Sequence, residues 1–290
     1  MNVLVLGVTG MLGSTVFHTF NQTDAKVYGT LRDRKSVQYF PEHTHANLIP
    51  NIDVLDIDTL FRLFELIRPD VVINCIGLIK QLAAAKDPLL TLPINAMLPH
   101  RLAKFCALSN ARLIHISTDC VFSGRKGLYL EQDVSDAEDL YGKSKYIGEV
   151  TELSHAITLR TSIIGHEISS NYALLEWFLS QENQVNGYTK AIFSGFPTVE
   201  LARIIRDYVI PCPELHGLYH VAASPINKFD LLTLIAEIYK KKIRIILDEQ
   251  IVIDRSLNGE RFRAATGYIA PSWPELIEGM YETRKLYGAK

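Results

Sequence analysis

Short apolar runs alternate, along the first half of the chain, with stretches whose apolar residues recur every three or four positions. Residues 2–6 form an uncharged, mostly apolar run that stops at Gly7, the pattern of a strand covered on both faces in a parallel sheet. A helix is predicted after the glycines that follow. Residues 26–31 repeat the strand pattern, a short strand is predicted around 52–54, and Leu60, Leu63, Phe64 and Ile67 fall at helical spacing before Pro69. Residues 71–76 read as another buried strand, 94–108 as a helix that tolerates Pro99 in its first turns, 112–117 as a strand and 140–153 as a helix. Strand and helix alternating through short connections imply right-handed crossovers, and so a doubly wound parallel α/β sheet of the Rossmann type. Ligands of such sheets sit at the carboxyl ends of the strands.

After a strand predicted at 156–161 the rhythm loosens. Helices are expected at 172–180, 197–208, 228–239 and after Pro274, strands at 217–221 and 242–247, and 181–190 reads as a polar loop. This divides the chain into residues 1–162, a sheet domain that takes back a strand near 217–222, and residues 163–290, mainly a smaller, partly interleaved lobe suited to hold a substrate.

Composition narrows the partners. With 290 residues, 48% of them hydrophobic and 21% charged, the chain can bury a sizeable core. Thirty basic residues against 32 acidic ones leave a net charge of -2, which excludes the broad positive face that nucleic-acid binding requires. Cys75, Cys106, Cys120 and Cys212 form no C-x-x-C pair, so neither a disulfide framework nor a thiolate zinc site is expected, and they read as thiols of a reducing cytoplasm. No H-E-x-x-H or Cys/His cluster occurs, and His43 with His45 reads as a solvated pair, so no metal is expected. Residues 1–23 carry no charged side chain, yet they lack a basic start, and Gly7, Gly10 and Gly13 interrupt the apolar stretch. The segment therefore belongs to the fold, and no membrane association is expected.

Candidate chemistry begins at Gly7-Val-Thr-Gly-Met-Leu-Gly13, between the first strand and the first helix. Missing side chains there let the backbone of Gly7, Thr9, Gly10, Met11, Leu12 and Gly13, and the helix start itself, approach a dinucleotide pyrophosphate. At the end of the second strand Arg32 precedes Asp33, so a positive charge for a 2′-phosphate comes first. This favours NADP, with NADPH preferred, and leaves NAD open. Asp53, with Val54, could meet an adenine amino group or cap a helix. Tyr141 and Lys145 stand four residues apart on one helix face, as do Tyr281 and Lys285. Only the first pair follows a buried strand that ends in hydroxyls, Ser117 and Thr118.

This combination resembles the short-chain dehydrogenase/reductases, specifically their extended sugar-nucleotide branch. The stretches Ile116-Ser-Thr-Asp-Cys-Val-Phe-Ser, Tyr141-Gly-Lys-Ser-Lys145, Leu159-Arg-Thr-Ser162, Phe196-Pro-Thr198, Gly217-Leu-Tyr-His220 and Ser256-Leu-Asn258 resemble the dTDP-4-dehydrorhamnose reductase family in the same order. The resemblance implies reduction of the C4 keto group of a nucleotide-linked 4-keto-6-deoxy sugar by NADPH, for polysaccharide biosynthesis. Tyr141 would donate the proton, Lys145 would lower the phenol's pKa and hold the nicotinamide ribose, and Thr118 would hydrogen-bond the carbonyl oxygen. Asn74, Cys75 and Ile76 would lie near the cofactor. Asn95, Cys120, Arg160, Ser162, Arg255 and Asn258 would line or support the substrate side, although each arginine could instead serve an ordinary ion pair and each asparagine a cap. The resemblance also allows a homodimer.

Related chemistries differ at single positions. The dehydratases of this superfamily carry Thr-Asp-Glu where this chain has Thr118-Asp119-Cys120, so the acid that drives elimination is missing. Bifunctional epimerase/reductases pair a cysteine placed like Cys120 with a histidine, but Ser169-Ser170-Asn171-Tyr172 offers none and His166 lies upstream. Regulatory subunits similar to this family bind the dinucleotide without turnover, a role that needs no intact Thr118, Tyr141 and Lys145.

Overall fold

Along β1 (Asn2–Leu6), Val3 and Val5 face one way and Leu4 and Leu6 the other, and all four are buried, so the strand needs covering layers on both sides. A computed structural model describes residues 1–80, 83–168 and 171–287 of the chain. From β1 the chain passes through α1 (Met11–Phe20), β2 (Lys26–Thr30), β3 (Leu48–Ile49), α2 (Ile57–Ile67) and β4 (Val71–Asn74). It continues through α3 (Pro88–Thr91), a π-helical stretch (Leu92–Met97), α4 (Leu98–Leu108), β5 (Arg112–Thr118), α5 (Leu140–Ile147) and β6 (Ala156–Thr161). The lobe contributes β7 (Ile163–Ile164), α6 (Leu174–Ser180), β8 (Gln184–Tyr188), β9 (Ala191–Phe193), β10 (Phe196–Pro197) and α7 (Thr198–Ile204). Then come β11 (Gly217–His220), β12 (Ile226–Asn227), α8 (Lys228–Ile238), β13 (Arg244–Asp248), β14 (Ile253–Asp254), α9 (Glu260–Thr266) and α10 (Trp273–Thr283).

Seven parallel strands in the order β11-β6-β5-β4-β1-β2-β3 make the central sheet, the doubly wound architecture that the alternating pattern implies. On one face Phe17 and Phe20 of α1 and Leu201, Ala202 and Ile204 of α7 cover Val3, Val5 and Ile114. On the other, Leu60, Leu63, Phe64 and Ile67 of α2 and Leu98, Leu102 and Cys106 of α4 cover Leu4, Leu6, Val72 and Leu113. Each fully buried Leu or Phe stabilises by about 1.5–3 kcal/mol, so these two layers anchor the sheet whose strands share one carboxyl edge. A third apolar cluster joins Leu175, Phe178, Leu231, Ile235, Ile277 and Met280 of α6, α8 and α10. No described helix is long and apolar enough to cross a membrane.

Five expectations about the elements are corrected. The third strand lies at Leu48–Ile49 rather than 52–54, because Pro50 follows it and Asn51 then takes a left-handed turn (φ +63°). The helix expected from 94 begins at Pro88, where Asp87 caps the amide of Leu89 and proline fits a first turn. The helix expected to reach 153 stops at Ile147, where Gly148 caps it and Glu149 turns inward. Residues 184–188 are a strand, β8, whose Val185 and Gly187 face inward while its partner β13 lies far along the chain. The predicted pattern contains no counterpart of α9.

Candidate active site

The order of the sheet reverses between β1 and β4, and a crevice opens over their carboxyl ends. Gly7 leaves β1 at φ +81°, and its carbonyl accepts the amide of Gly10 at 3.1 Å. Gly13 packs so tightly on this loop that a methyl group there would sit 2.2 Å from the Gly7 oxygen. The helix α1 therefore starts flush against the loop. Gly10 offers no side-chain cap, so the amides of Met11, Leu12 and Gly13 leave the helix end without intrahelical partners and favour negative charge. Thr9 is half-buried beside them.

Across the crevice the Cys75 amide donates to the Leu6 carbonyl at 3.2 Å, and the Ile76 side chain lies against Gly7. Asn74 is fully buried; its Oδ1 accepts the Ile76 amide at 3.1 Å and its Nδ2 faces His115 Nδ1 at 3.1 Å. It shapes the turn rather than lining the crevice. Arg32 is exposed and makes no ion pair among the described residues, whereas Asp33 accepts both the amide and the hydroxyl of Ser36 at 3.0 Å. Asp53 closes a turn by accepting the Leu55 amide at 2.9 Å, while Val54 packs toward the α2 side of the core.

At the end of β5 the Thr118 hydroxyl accepts the Cys120 amide at 3.1 Å and is a hydrogen-bonding neighbour of the Tyr141 phenol. One turn further along α5, the Lys145 ammonium donates to the Ile116 carbonyl at 2.7 Å and lies near Cys75. Thr118, Tyr141 and Lys145 therefore share the carboxyl edge with the glycine loop. Three contacts fix α5 there. Asp139 caps it through the Gly142 amide at 2.8 Å. Gly142 stands where a methyl group would lie 2.2 Å from the Cys120 carbonyl oxygen, so no larger residue lets the helix approach. Asn95, in the π-helical stretch, donates to the Ser144 hydroxyl at 3.2 Å while holding both the amide and the carbonyl of Leu78. Asn95 is 1% exposed, so of the two roles expected of it, lining or supporting the substrate side, it takes the supporting one by bracing the helix that carries Tyr141 and Lys145.

The electrostatics reverse one expectation. Burial pushes the Tyr141 phenol well above its ordinary value, and Cys120, Asp119 and Asp139 push the same way, with only the Thr118 hydrogen bond opposing. The Lys145 ammonium points to the strand carbonyl instead of lowering that phenol. Burial pulls Lys145 itself down to about 8, against Glu149 and Cys75, which raise it. Burial, with the Asp119 carboxylate, pushes the Cys120 thiol up to about 12, so it is a neutral wall group and a poor base. His166 is engaged by Glu176 at 2.8 Å and Tyr239 at 3.0 Å, and Ser169 and Ser170 lie outside the described residues.

Arg160, expected at a sugar or diphosphate, is 2% exposed and bound to Glu149 through two nitrogens at 2.7 and 2.6 Å. Ser117 donates to the same carboxylate at 2.7 Å, and His220 Nε2 lies 3.2 Å from the guanidinium. The arginine is an internal ion pair because two buried charges this close stabilise only when fully hydrogen-bonded to each other. Ser162 hydrogen-bonds the buried Asp119, which Arg255 also faces. Arg255 Nε donates to the Phe122 carbonyl at 2.7 Å. The Asn258 side chain accepts the Glu260 amide at 2.8 Å and so starts α9. Lys228, half-buried at the start of α8, stands near Asp119, Cys120 and Arg255. Nothing in the local pattern around Lys228 marks it; only the folding of β12 beside β9 brings it to this edge. No group of three or more described His, Cys, Asp or Glu residues could hold a metal ion.

A family model described as the RmlD substrate binding domain matches residues 1–281. The chain is 25% identical over 313 residues to methionine adenosyltransferase 2 subunit beta of Mus musculus, covering 95% of this chain and 88% of that one. It is 27% identical over 183 residues to a dTDP-4-dehydrorhamnose reductase of Aggregatibacter actinomycetemcomitans, covering 60% and 62%. Its fold matches the crystal structure of dTDP-4-dehydrorhamnose reductase from Bacillus anthracis in complex with NADP, with a TM-score of 0.78 at 22% identity over 97% of this chain and 98% of that one.

Proposed function

Because the chain belongs to the RmlD substrate binding domain family, we propose that it is an NADPH-dependent reductase acting on the C4 keto group of a nucleotide-linked 4-keto-6-deoxy sugar. The observation that carries this reading is the convergence of Thr118, Tyr141 and Lys145 at the edge that also holds the glycine loop. The crevice fits a dinucleotide by its own features: a helix start without a side-chain cap, a glycine approach too close for a methyl group, and an unpaired Arg32 where a 2′-phosphate would lie. When bound, the nicotinamide supplies the hydride.

The chain's own residues manage the proton. A phenol whose pKa lies above its ordinary range keeps its proton at neutral pH and donates it only to a stronger base, such as the alkoxide that develops as the carbonyl is reduced. Thr118 hydrogen-bonds that oxygen and orients the phenol. Lys145, one turn from the phenol, holds the nicotinamide ribose with its ammonium, which requires it to be protonated. With Lys145 near 8, the rate is expected to fall as pH rises through about 8, because the ammonium is lost there first. A profile of kcat/KM flat from pH 7 to 10 would contradict that role. The same shift bears on stability. The folded value lies below the ordinary 10.5, so burying the ammonium costs most below about 8, and stability is gained as pH rises from 8 toward 10.5.

The decisive assay follows NADPH oxidation with dTDP-, UDP- and GDP-linked 4-keto-6-deoxy sugars, with the product read by NMR. Steady consumption with at least one of them supports the reading. The likeness to a subunit of another enzyme, covering 95% of this chain, gives a second reading: a dinucleotide-binding subunit without turnover. NADP binding with no oxidation across the panel would establish that reading instead. Under either reading Gly13→Ala is expected to weaken dinucleotide binding by about tenfold or more, roughly 1.4 kcal/mol, because the methyl group forces the loop off the helix start. A fluorescence titration with NADPH measures this, and an unchanged affinity would remove the glycine loop as the binding element.

A further inference from the structure

Strand β5 carries a histidine that the proton chemistry leaves unused. His115 pairs in register with Asn74 of β4, and neither residue is exposed. The Asn74 oxygen takes the Ile76 amide, so Nδ2 is the atom turned to His115 Nδ1, at 3.1 Å. A ring nitrogen that faces an N–H donor must offer a lone pair. The imidazole is therefore neutral, with its one proton on Nε2.

That proton meets no acceptor: Nε2 is buried and makes no hydrogen bond among the described residues. A buried donor left in this way forfeits its hydration, a cost that a leucine at the same place would avoid. Positive charge is also unwelcome, since burial, Lys145 of α5 and His100 of α4 all pull the ring's pKa well below its ordinary value. What the imidazole supplies in return is the acceptor for Asn74. Its effect runs along the turn that follows β4. Asn74, held in one orientation, fixes the Ile76 amide; the Ile76 side chain lies against Gly7, and the Gly7 carbonyl takes the Gly10 amide just ahead of α1. Cys75, in the same turn, is tied to Leu6 of β1. One buried ring thus stands behind the wall that faces the glycine loop.

We propose that His115, as the neutral Nε2–H tautomer, is a positioning residue for the dinucleotide crevice, acting through Asn74 and the turn at Ile76 on the glycine loop. The inference rests on the crevice holding a dinucleotide, which both readings of the function share, and it needs no turnover.

The test joins a spectroscopic signature to a binding series. Long-range proton–nitrogen correlation spectra of the wild type should show a proton on His115 Nε2 and none on Nδ1 from about pH 6 to 8. Asn74→Asp, whose side chain accepts but does not donate, should place a proton on Nδ1. In NADPH titrations His115→Leu should lose about tenfold in affinity, while His115→Asn, whose amide oxygen stands at the place of Nδ1, should recover most of it. Stability to urea should hold in His115→Leu, because it exchanges one unpaired donor, Nε2, for another, Asn74 Nδ2. A proton on Nδ1 of the wild type, or a ring unmoved in Asn74→Asp, would overturn the proposal. Undiminished NADPH affinity in His115→Leu would also overturn it and leave the crevice intact. Equal losses in His115→Leu and His115→Asn, in step with their unfolding midpoints, would reduce the histidine to a structural part. A wild type that binds no dinucleotide would remove the crevice reading itself, and the positioning role with it.

Discussion

Replacing Tyr141 by phenylalanine is expected to lower turnover of the keto sugar by about 10²–10⁴-fold while leaving dinucleotide affinity nearly intact. The substitution removes one oxygen and nothing that places the helix: the Asp139 cap, the Gly142 approach to Cys120 and the Asn95–Ser144 bond all remain. Thr118 stays in reach of the carbonyl oxygen but holds its hydroxyl against the Cys120 amide, and it has no cation to stabilise the alkoxide it would leave behind. The loss should therefore appear in kcat rather than in cofactor binding. Steady-state kinetics beside an NADPH titration separate the two, and a variant retaining half of the wild-type rate would mean that another group or a water supplies the proton.

Glu149→Ala is expected to cost about 3–5 kcal/mol of folding stability. Removing the carboxylate strands Arg160, 2% exposed, with two of its donors unpaired, and leaves the Ser117 hydroxyl without its acceptor. The guanidinium keeps only His220 and the face of Phe122, whose ring centre lies 5.2 Å from it. Burial and Arg160 hold His220 down to about 3, so that side chain cannot take over the carboxylate's charge. Urea unfolding of Glu149→Ala, of Arg160→Leu and of the double variant forms the check: the double variant should be less damaged than the sum of the singles. Single variants within 1 kcal/mol of wild type would show that the pair is not the anchor between β5, α5 and β6.

Periodicity reports what a residue does for its own element, and the elements of the central sheet were legible for that reason. Strands covered on both faces leave continuous apolar runs, and helices over them leave a stripe at Leu60, Leu63, Phe64 and Ile67. The returning strand at 217–220 was also legible, because Gly217-Leu-Tyr-His220 carries the same pattern. The lobe was harder to read. Its strands are two to five residues long, and β8 finds its partner β13 about sixty residues later, so neither shows a period by itself. The site divides in the same way. Tyr141, Lys145 and Thr118 could be placed together from a helix spacing and a strand end. Arg160 could not be told from a ligand-binding arginine, because its partner Glu149 follows a helix that ends six residues earlier than the pattern suggests. Lys228 sits in an unremarkable run, and its place at this edge comes wholly from a sheet register.

The last strand of the central sheet, β11, reaches its place beside β6 only after more than fifty intervening residues have gone out to build the lobe. All six residues of β6 are buried, so a chain halted at residue 162 would present that strand as a bare, apolar edge, open to pairing with another copy. During synthesis the nascent sheet must wait with this flank unguarded until residue 220 has emerged, which makes the interval the natural point for a chaperone to act and the poorest place to cut the protein in two.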